Sequence, residues 1–251
     1  MLQRVQESRV LRLTLDRPEK RNALNRELCT ALVQTIGNAV RDPGVGAILL
    51  LANGKSFCAG MDLAEAALGV TEDINTIHER LFTLGARITK PLIAAVQGAA
   101  LGGGTGLVAN CHIVVAAPEA TFGLTEIRLG LWPFLVYRAM ETALGERRAL
   151  ELALTGRIFG ADEAEDLGFV HEIAADPVKR AIAVAEMIAN SSPTAIQNGM
   201  SFVQEVRGQD SEASGRIARR IRNQVFAGAD FQEGLRAFRE KRQPRWPSLG
   251  S

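Results

Sequence analysis

The first hydrophobic run, RVLRLTLD (9–16), alternates Val10, Leu11, Leu13 and Leu15 with polar partners and predicts a strand. RPEKRNAL follows and turns into a helix expected from about Asn22 to Val40. Three later runs, VGAILLLANG (45–54), KPLIAAVQG (90–98) and CHIVVAA (111–117), are continuous, apolar and closed by Gly, Asn or Pro. That pattern predicts strands covered on both faces. Between them, TEDINTIHERLFTLGARI opens with a Thr cap candidate and an acidic first turn, and spaces Ile74, Ile77, Leu81 and Leu84 at helical intervals. Strand and helix thus alternate through the first two-thirds, which predicts an α/β protein. ADEAEDLGFVHEIA holds a short helix broken at Gly168 before a last strand, and the chain beyond is wholly helical. Pro177 and Pro193 mark helix starts. Ile217, Ile221 and Val225 recur every four residues, and Phe231, Leu235 and Phe238 pair on one face before Pro244 stops the helix. Such an appended helical layer needs a partner surface.

Composition narrows the class without naming a chemistry. A chain of 251 residues suits one large domain with an appendage, and 47% hydrophobic with 23% charged residues is ordinary globular usage. Lys plus Arg number 29 against 28 Asp plus Glu, so no global field favours nucleic acid or an anionic membrane. Cys29, Cys58 and Cys111 lie far apart and form no metal or redox spacing, which predicts reduced thiols. The first twenty residues lack an export-type apolar core, and no run is long enough to span a bilayer. A cytoplasmic location is expected.

The glycines of AALGGGTGLVANCHIVVAA (99–117) carry the chemistry. A dinucleotide fingerprint fails, because counting from Gly102 places Leu107 where its last glycine belongs. A phosphate loop at NGKSF fails too, since Leu49 stands where its first glycine belongs. What remains is a strand, a tight turn and a helix that starts on glycine. Its unpaired N–H groups point at whatever enters the turn. GKSFCAGMDL offers a second such turn, in which Ala59 and Gly60 follow a strand and Asp62 caps the next helix. The two could converge on one oxygen.

RPEKRNAL, GKSFCAGMDL, PLIAAVQGAALGGGTGLVANCHIVVAA, ATFGLTEIRLGLWP and FQEGLRAFREKRQPRW, in that order, resemble the enoyl-CoA hydratase/isomerase (crotonase) superfamily over nearly the whole chain. The resemblance implies a crotonase-type ββα spiral over residues 1–190. It also implies a C-terminal helical region, 191–251, that completes the site and builds a homotrimer or a hexamer. It implies an acyl-CoA thioester as substrate, with no cofactor beyond the CoA it carries; the separation of the three histidines argues against a metal site, and near-neutral charge with only one Tyr against a nucleic-acid partner. The oxyanion donors would be the N–H groups of Met61 and Gly103, and Glu126 in FGLTEIRLG would carry protons. A carboxyl beside the acyl chain, near Trp132 and Phe134, is expected to have a raised pKa. CoA binding falls to Lys20, Arg21, Ala23, Ala59, Gly60, Asp62, Leu63 and Gly102. Phe238 and Lys241 match residues that reach a neighbour's CoA in trimeric relatives. Ala64 stands where relatives often have Lys, so phosphate contact is left to Arg21, Lys55 or the tail.

Two-glutamate hydratases carry a second Glu where this chain has Gly106. One carboxylate completes a double-bond shift, so isomerisation fits best by mechanism. Hydration stays open, decarboxylation needs the oxyanion hole alone, and a silent acyl-CoA binder is the reading from another class. His78 is expected on a solvated helix face, with a second proton carrier as the alternative. His112 is expected as a satisfied core residue and His171 as a strand end. RIARRIR (216–222) reads as a solvated face.

Overall fold

A computed structural model describes residues 1–69 and 71–249. The chain opens with β1 (Leu2–Glu7), β2 (Val10–Leu15), α1 (Arg26–Arg41) and β3 (Ala47–Ala52). Helices α2 (Leu63–Ala66), α3 (Glu72–Phe82) and α4 (Leu84–Arg87) lead to β4 (Leu92–Val96), and β5 (Ala99–Leu101) and α5 (Gly103–Ala109) lead to β6 (Ile113–Ala116). After β7 (Thr121–Gly123) and a 3-10 turn at Thr125–Leu129 come α6 (Phe134–Leu144), α7 (Glu146–Thr155), β8 (Ile158–Gly160), α8 (Ala161–Asp166) and β9 (Glu172–Ile173). Helices α9 (Pro177–Ala189), α10 (Pro193–Glu205), α11 (Ser211–Phe226) and α12 (Ala229–Arg239) close the chain.

The apolar runs become the middle of a six-stranded sheet ordered β1-β2-β3-β4-β6-β9, parallel except for the β1–β2 hairpin. Their continuity has a direct cause, since both faces are covered. Leu49, Leu51, Ile93 and Ala95 pack under Ala181, Ala185 and Ala189 of α9. Ile48, Leu50, Ala94 and Val96 point the other way, into the main core with Leu28, Leu32 and Ile36 of α1. A second sheet, β5-β7-β8, lies beyond that core and carries the glycine-rich turn.

Several expectations need correction. β1 is an exposed edge strand without an apolar run, so nothing in its pattern announces it. The first long helix starts at Arg26, capped by Asn25, and not at Asn22. Residues Pro18–Lys20 form a 3-10 turn, Arg21 and Asn22 take positive φ (49° and 53°), and Leu24 pairs with Met61 in an isolated parallel bridge. The helix over 71–88 keeps its Thr71 cap but breaks at Thr83. In α12 the buried face is Asp230, Glu233 and Ala237, whereas Leu235 and Phe238 are exposed, the latter by 84%.

Buried acids in α12 need long-range partners. Asp230 accepts from Ser192 Oγ (2.6 Å), Thr194 Oγ1 (2.8 Å), Ser248 Oγ (2.7 Å) and the Ser248 N–H (3.0 Å). Glu233 accepts from both guanidinium ends of Arg242 (2.6 and 3.2 Å) and from the Arg245 N–H (2.8 Å). These bonds tie the last residues to α10 and α12. Among the described residues, no helix is long and apolar enough to cross a membrane.

Candidate active site

The two glycine turns lie side by side. In the Leu24–Met61 bridge the Leu24 N–H donates to the Gly60 carbonyl (2.7 Å) and the Asp62 N–H donates to the Leu24 carbonyl (3.0 Å). A parallel bridge of this kind uses the residues on either side of Met61, so the Met61 N–H faces away from it. Gly60 sits at φ +91°, and a β-carbon there would lie 2.7 Å from the Leu101 carbonyl oxygen and 3.2 Å from the Gly103 nitrogen. Only glycine fits. On the other turn the Gly102 N–H donates to the Gly123 carbonyl (2.8 Å), and the first bond of α5 runs from the Gly106 N–H to the Gly102 carbonyl (3.1 Å). Gly103, at the first helical position, has no backbone acceptor among the described residues.

Thr105 fixes this geometry from below. Its fully buried hydroxyl donates towards the Ala100 carbonyl (2.7 Å), with the Gly123 carbonyl at 2.9 Å, and accepts from the Gly123 N–H (3.0 Å). One side chain therefore joins β5, β7 and the start of α5. Asp62 caps α2 by accepting from the Glu65 N–H, and pairs with Arg17 at 3.1 Å. Burial pushes the Asp62 carboxyl up, but Arg17 and the N–H groups of Glu65 and Ala64 outweigh it and hold it below the usual range.

A cavity of about 510 Å³ opens over both turns. Glu126, on the 3-10 turn, stands at its wall, and a β-carbon on Gly102 would lie 3.2 Å from Glu126 Oε1. Glu126 Oε2 is buried and has no hydrogen-bond partner among the described residues. Burial raises its pKa, as expected of a carboxyl in apolar surroundings. Gly106 contributes no side chain to the cavity, and none would fit. A β-carbon there would meet the two γ-methyls of Val136 at 2.8 and 2.9 Å and Phe82 Cε1 at 3.0 Å.

Of the residues singled out in the sequence, Ala59, Gly60, Met61, Asp62, Leu63, Gly102, Gly103, Glu126, Trp132 and Phe134 line this one cavity. Phe134 stands 71% exposed at its mouth, and Trp132 is half-buried beside Tyr137. Lys20, Arg21 and Ala23 do not line it, but the Arg21 carbonyl accepts from the Ala59 N–H (2.9 Å), which sets their turn on its rim. Lys20, Arg21 and Lys55 are exposed. Phe238 and Lys241 are exposed at the end of α12 and form no part of the cavity wall.

His78 corrects an expectation, because it is half-buried and lines the cavity instead of a solvated face. Burial holds its imidazole below the usual histidine value, against an opposing pull from Glu65. His112 is satisfied as expected, with Nδ1 accepting from the Leu92 N–H and Nε2 bonded to the Gly85 carbonyl, each at 3.0 Å. Burial pushes the thiol of Cys58, the residue before Ala59, up to about 12, so it stays protonated.

Sequence reasoning missed two supporting residues. Asn22 is fully buried at φ +53°, and its amide donates to the Asn53 and Ser56 carbonyls (2.9 Å each) while its oxygen accepts from the Arg17 N–H (2.8 Å). Arg17 bonds the Ala23 carbonyl as well as Asp62. The polar RPEKRN stretch was the available signal, but both partners come from later in the chain.

The fold and the site define an α/β protein in which two glycine turns, with main-chain donors free among the described residues, lie beside the buried, unpartnered carboxyl of Glu126. The chain belongs to the enoyl-CoA hydratase/isomerase family, whose sequence profile matches residues 5–248, and it is an enzyme of that family acting on CoA thioesters. It is 37% identical to a Thermus thermophilus protein with a provisional enoyl-CoA hydratase name, over 96% of this chain and 99% of that one. It is 36% identical to the mevalonyl-coenzyme A hydratase of Aspergillus fumigatus, over 94% and 91%. The crystal structure of the Mycobacterium smegmatis enoyl-CoA hydratase superposes with a TM-score of 0.92 at 30% identity, covering 98% of both chains. The crotonase fold expected from the sequence is therefore the fold of this chain.

Proposed function

We propose that the protein holds an acyl-CoA thioester carbonyl between the N–H groups of Met61 and Gly103, and that Glu126 moves protons at the carbons beside it. The buried, unpartnered Glu126 carboxyl next to Gly102 carries this reading. As a proton leaves carbon, charge builds on the thioester oxygen. A preorganised donor aimed at that oxygen is worth about 3–4 kcal/mol in a water-poor site. A carboxyl with a raised pKa is matched to taking a proton from one carbon and returning it to another. That sequence of steps moves a double bond between the 3- and 2-enoyl positions. It needs one carboxyl, and Val136 and Phe82 leave no room for another at Gly106.

The CoA portion lies over the rim formed by Lys20, Arg21 and Ala23 and by Ala59 to Leu63, and Trp132 and Phe134 bound the acyl end. The exposed Phe238 and Lys241 serve a neighbouring subunit's CoA in a homotrimer or a dimer of trimers, residues 191–251 being the region that builds the assembly. A cytoplasmic enzyme is the accompanying reading.

Water addition to a 2-enoyl-CoA is the second reading, and the hydratase names borne by relatives favour it. It demands a group that holds and activates water, which one carboxyl supplies poorly while it protonates carbon. The test offers purified protein 2- and 3-enoyl-CoA thioesters of several lengths, resolves products by mass and chromatography, and runs Glu126→Gln alongside. A mass-neutral double-bond shift that falls about 10²–10⁴-fold in the variant supports the first reading. A gain of one water as the only product supports the second. Full turnover by Glu126→Gln removes Glu126 from the mechanism.

A further inference from the structure

Each of the three histidines has ring nitrogens to account for, and only one leaves both uncommitted. His112 uses both, and His171 Nδ1 accepts from the Val114 N–H (3.2 Å). His78 makes no hydrogen bond with either nitrogen among the described residues, although it is half-buried and lines the same cavity as Glu126, Met61 and Gly103. Neither ring nitrogen is among the buried atoms that lack a partner, so both are open to solvent in a cavity wall, where a water can reach them.

Its position is defined through Phe82, one helical turn later on α3. The two rings are tilted against each other with centroids 6.2 Å apart. Phe82 Cζ lies 3.2 Å from where a β-carbon of Gly103 would be, and Phe82 Cε1 lies 3.0 Å from where that of Gly106 would be. The imidazole is thus one ring removed from the start of α5. Glu126 stands at the same turn, against Gly102. His78 and Glu126 thus line one cavity beside the same glycine turn.

We propose that His78 is a catalytic residue that activates water, giving this cavity hydration of 2-enoyl-CoA thioesters alongside the double-bond shift. This rests on the reading of Met61, Gly103 and Glu126 given above. A neutral ring nitrogen of His78 takes a proton from water as the water oxygen bonds to the β-carbon. The π electrons move to the thioester oxygen, where the two N–H groups hold the enolate. Glu126 then donates its proton to the α-carbon, and the enolate collapses to the 3-hydroxyacyl thioester. The proton on His78 is released to solvent and Glu126 regains one from it, so the sum is addition of one water. Nothing is oxidised or reduced.

The experiment compares wild type with His78→Phe, His78→Ala and Glu126→Gln, measuring hydration of a 2-enoyl-CoA and isomerisation of the 3-enoyl-CoA of equal length. Circular dichroism and melting confirm that each variant folds. The expected result is a fall of about 10²-fold or more in the ratio of hydration to isomerisation for both His78 variants, with the loss in kcat and not in KM. Added imidazole should restore part of the hydration by His78→Ala and none of that by His78→Phe. Absence of hydration in the wild type, or equal loss of both activities with a raised KM, overturns the role of His78. Retention of both activities by Glu126→Gln instead overturns the underlying reading, so the two failures are separable.

Discussion

The γ-methyls of Val136 fill the space that a side chain on Gly106 would enter: a β-carbon there would lie 2.8 and 2.9 Å from them. Gly106→Glu therefore forces Val136 and Phe82 to shift before a second carboxylate can enter. Overpacking of this kind costs about 1–3 kcal/mol, which in a chain of this size lowers Tm by several degrees. Melting of Gly106→Glu, alone and with Val136→Ala, checks the point. The single variant should melt low and gain no hydration, and the double variant should recover part of the loss. A wild-type Tm for Gly106→Glu would show that the space is open.

Thr105→Val should be destabilising well beyond its one lost hydroxyl. It removes the donor to the Ala100 carbonyl and leaves the Gly123 N–H buried without its acceptor. Unsatisfied buried groups cost about 1–3 kcal/mol each, so a loss of roughly 2–4 kcal/mol is expected by denaturant titration. Thr105→Ser, which keeps the hydroxyl, should lose less than half of that. Turnover should fall in Thr105→Val, because the turn that presents Gly103 is the structure being loosened.

Glu126 couples stability to pH in the direction opposite to a salt-bridged acid. Its pKa is raised by burial, so the folded chain holds the proton more tightly than the unfolded chain does. The resulting stability is fully present below the ordinary glutamate value and is lost as pH rises through the raised one. Glu126→Gln, which never ionises, should therefore gain in Tm over wild type as pH is taken from 4 to 8 while losing activity. A Tm difference that stays flat across that range would contradict the burial argument.

Glu233 behaves in the other sense. Its hydrogen bonds to Arg242, then the Arg245 N–H, hold its pKa down to about 2. Its contribution is present above the ordinary glutamate value and is lost as pH falls towards 2. Glu233→Gln should lower Tm at pH 7, and the gap to wild type should close on acidification. Proteolysis near residues 240–249 should be faster in the variant at neutral pH, since the same bonds tie down the tail.

How much of this could be read from the chain depends on the distance to each residue's partner. β3, β4 and β6 were legible because both faces are buried and every position is apolar. The Thr71 and Asp62 caps were legible because each acceptor lies three residues from its donor. β1 was not, since an edge strand with polar residues on both sides carries no periodicity. The buried face of α12 was not legible because Asp230 and Glu233 are buried by Ser192, Thr194, Ser248 and Arg242, none of which the helical pattern contains. His78 was placed in solvent by its polar neighbours, whereas the cavity it faces is built from α3, α6 and the two glycine turns. Ten site positions met in one cavity because their motifs are local, and Phe238 and Lys241 fell outside it, exposed at the end of α12.

The two turns present peptide N–H groups, and a peptide N–H is carried by every residue except proline. At Met61 the side chain can therefore be exchanged without removing the donor, and at Gly103 the donor is lost only by deforming the backbone. Under the proposed roles, the carbonyl-polarising half depends on backbone shape, which Gly60 and Gly102 hold at positive φ, while Glu126, His78 and the Met61 side chain can be exchanged without touching it. On that reading, wall substitutions would change which proton is transferred while the two backbone donors keep their grip on the thioester.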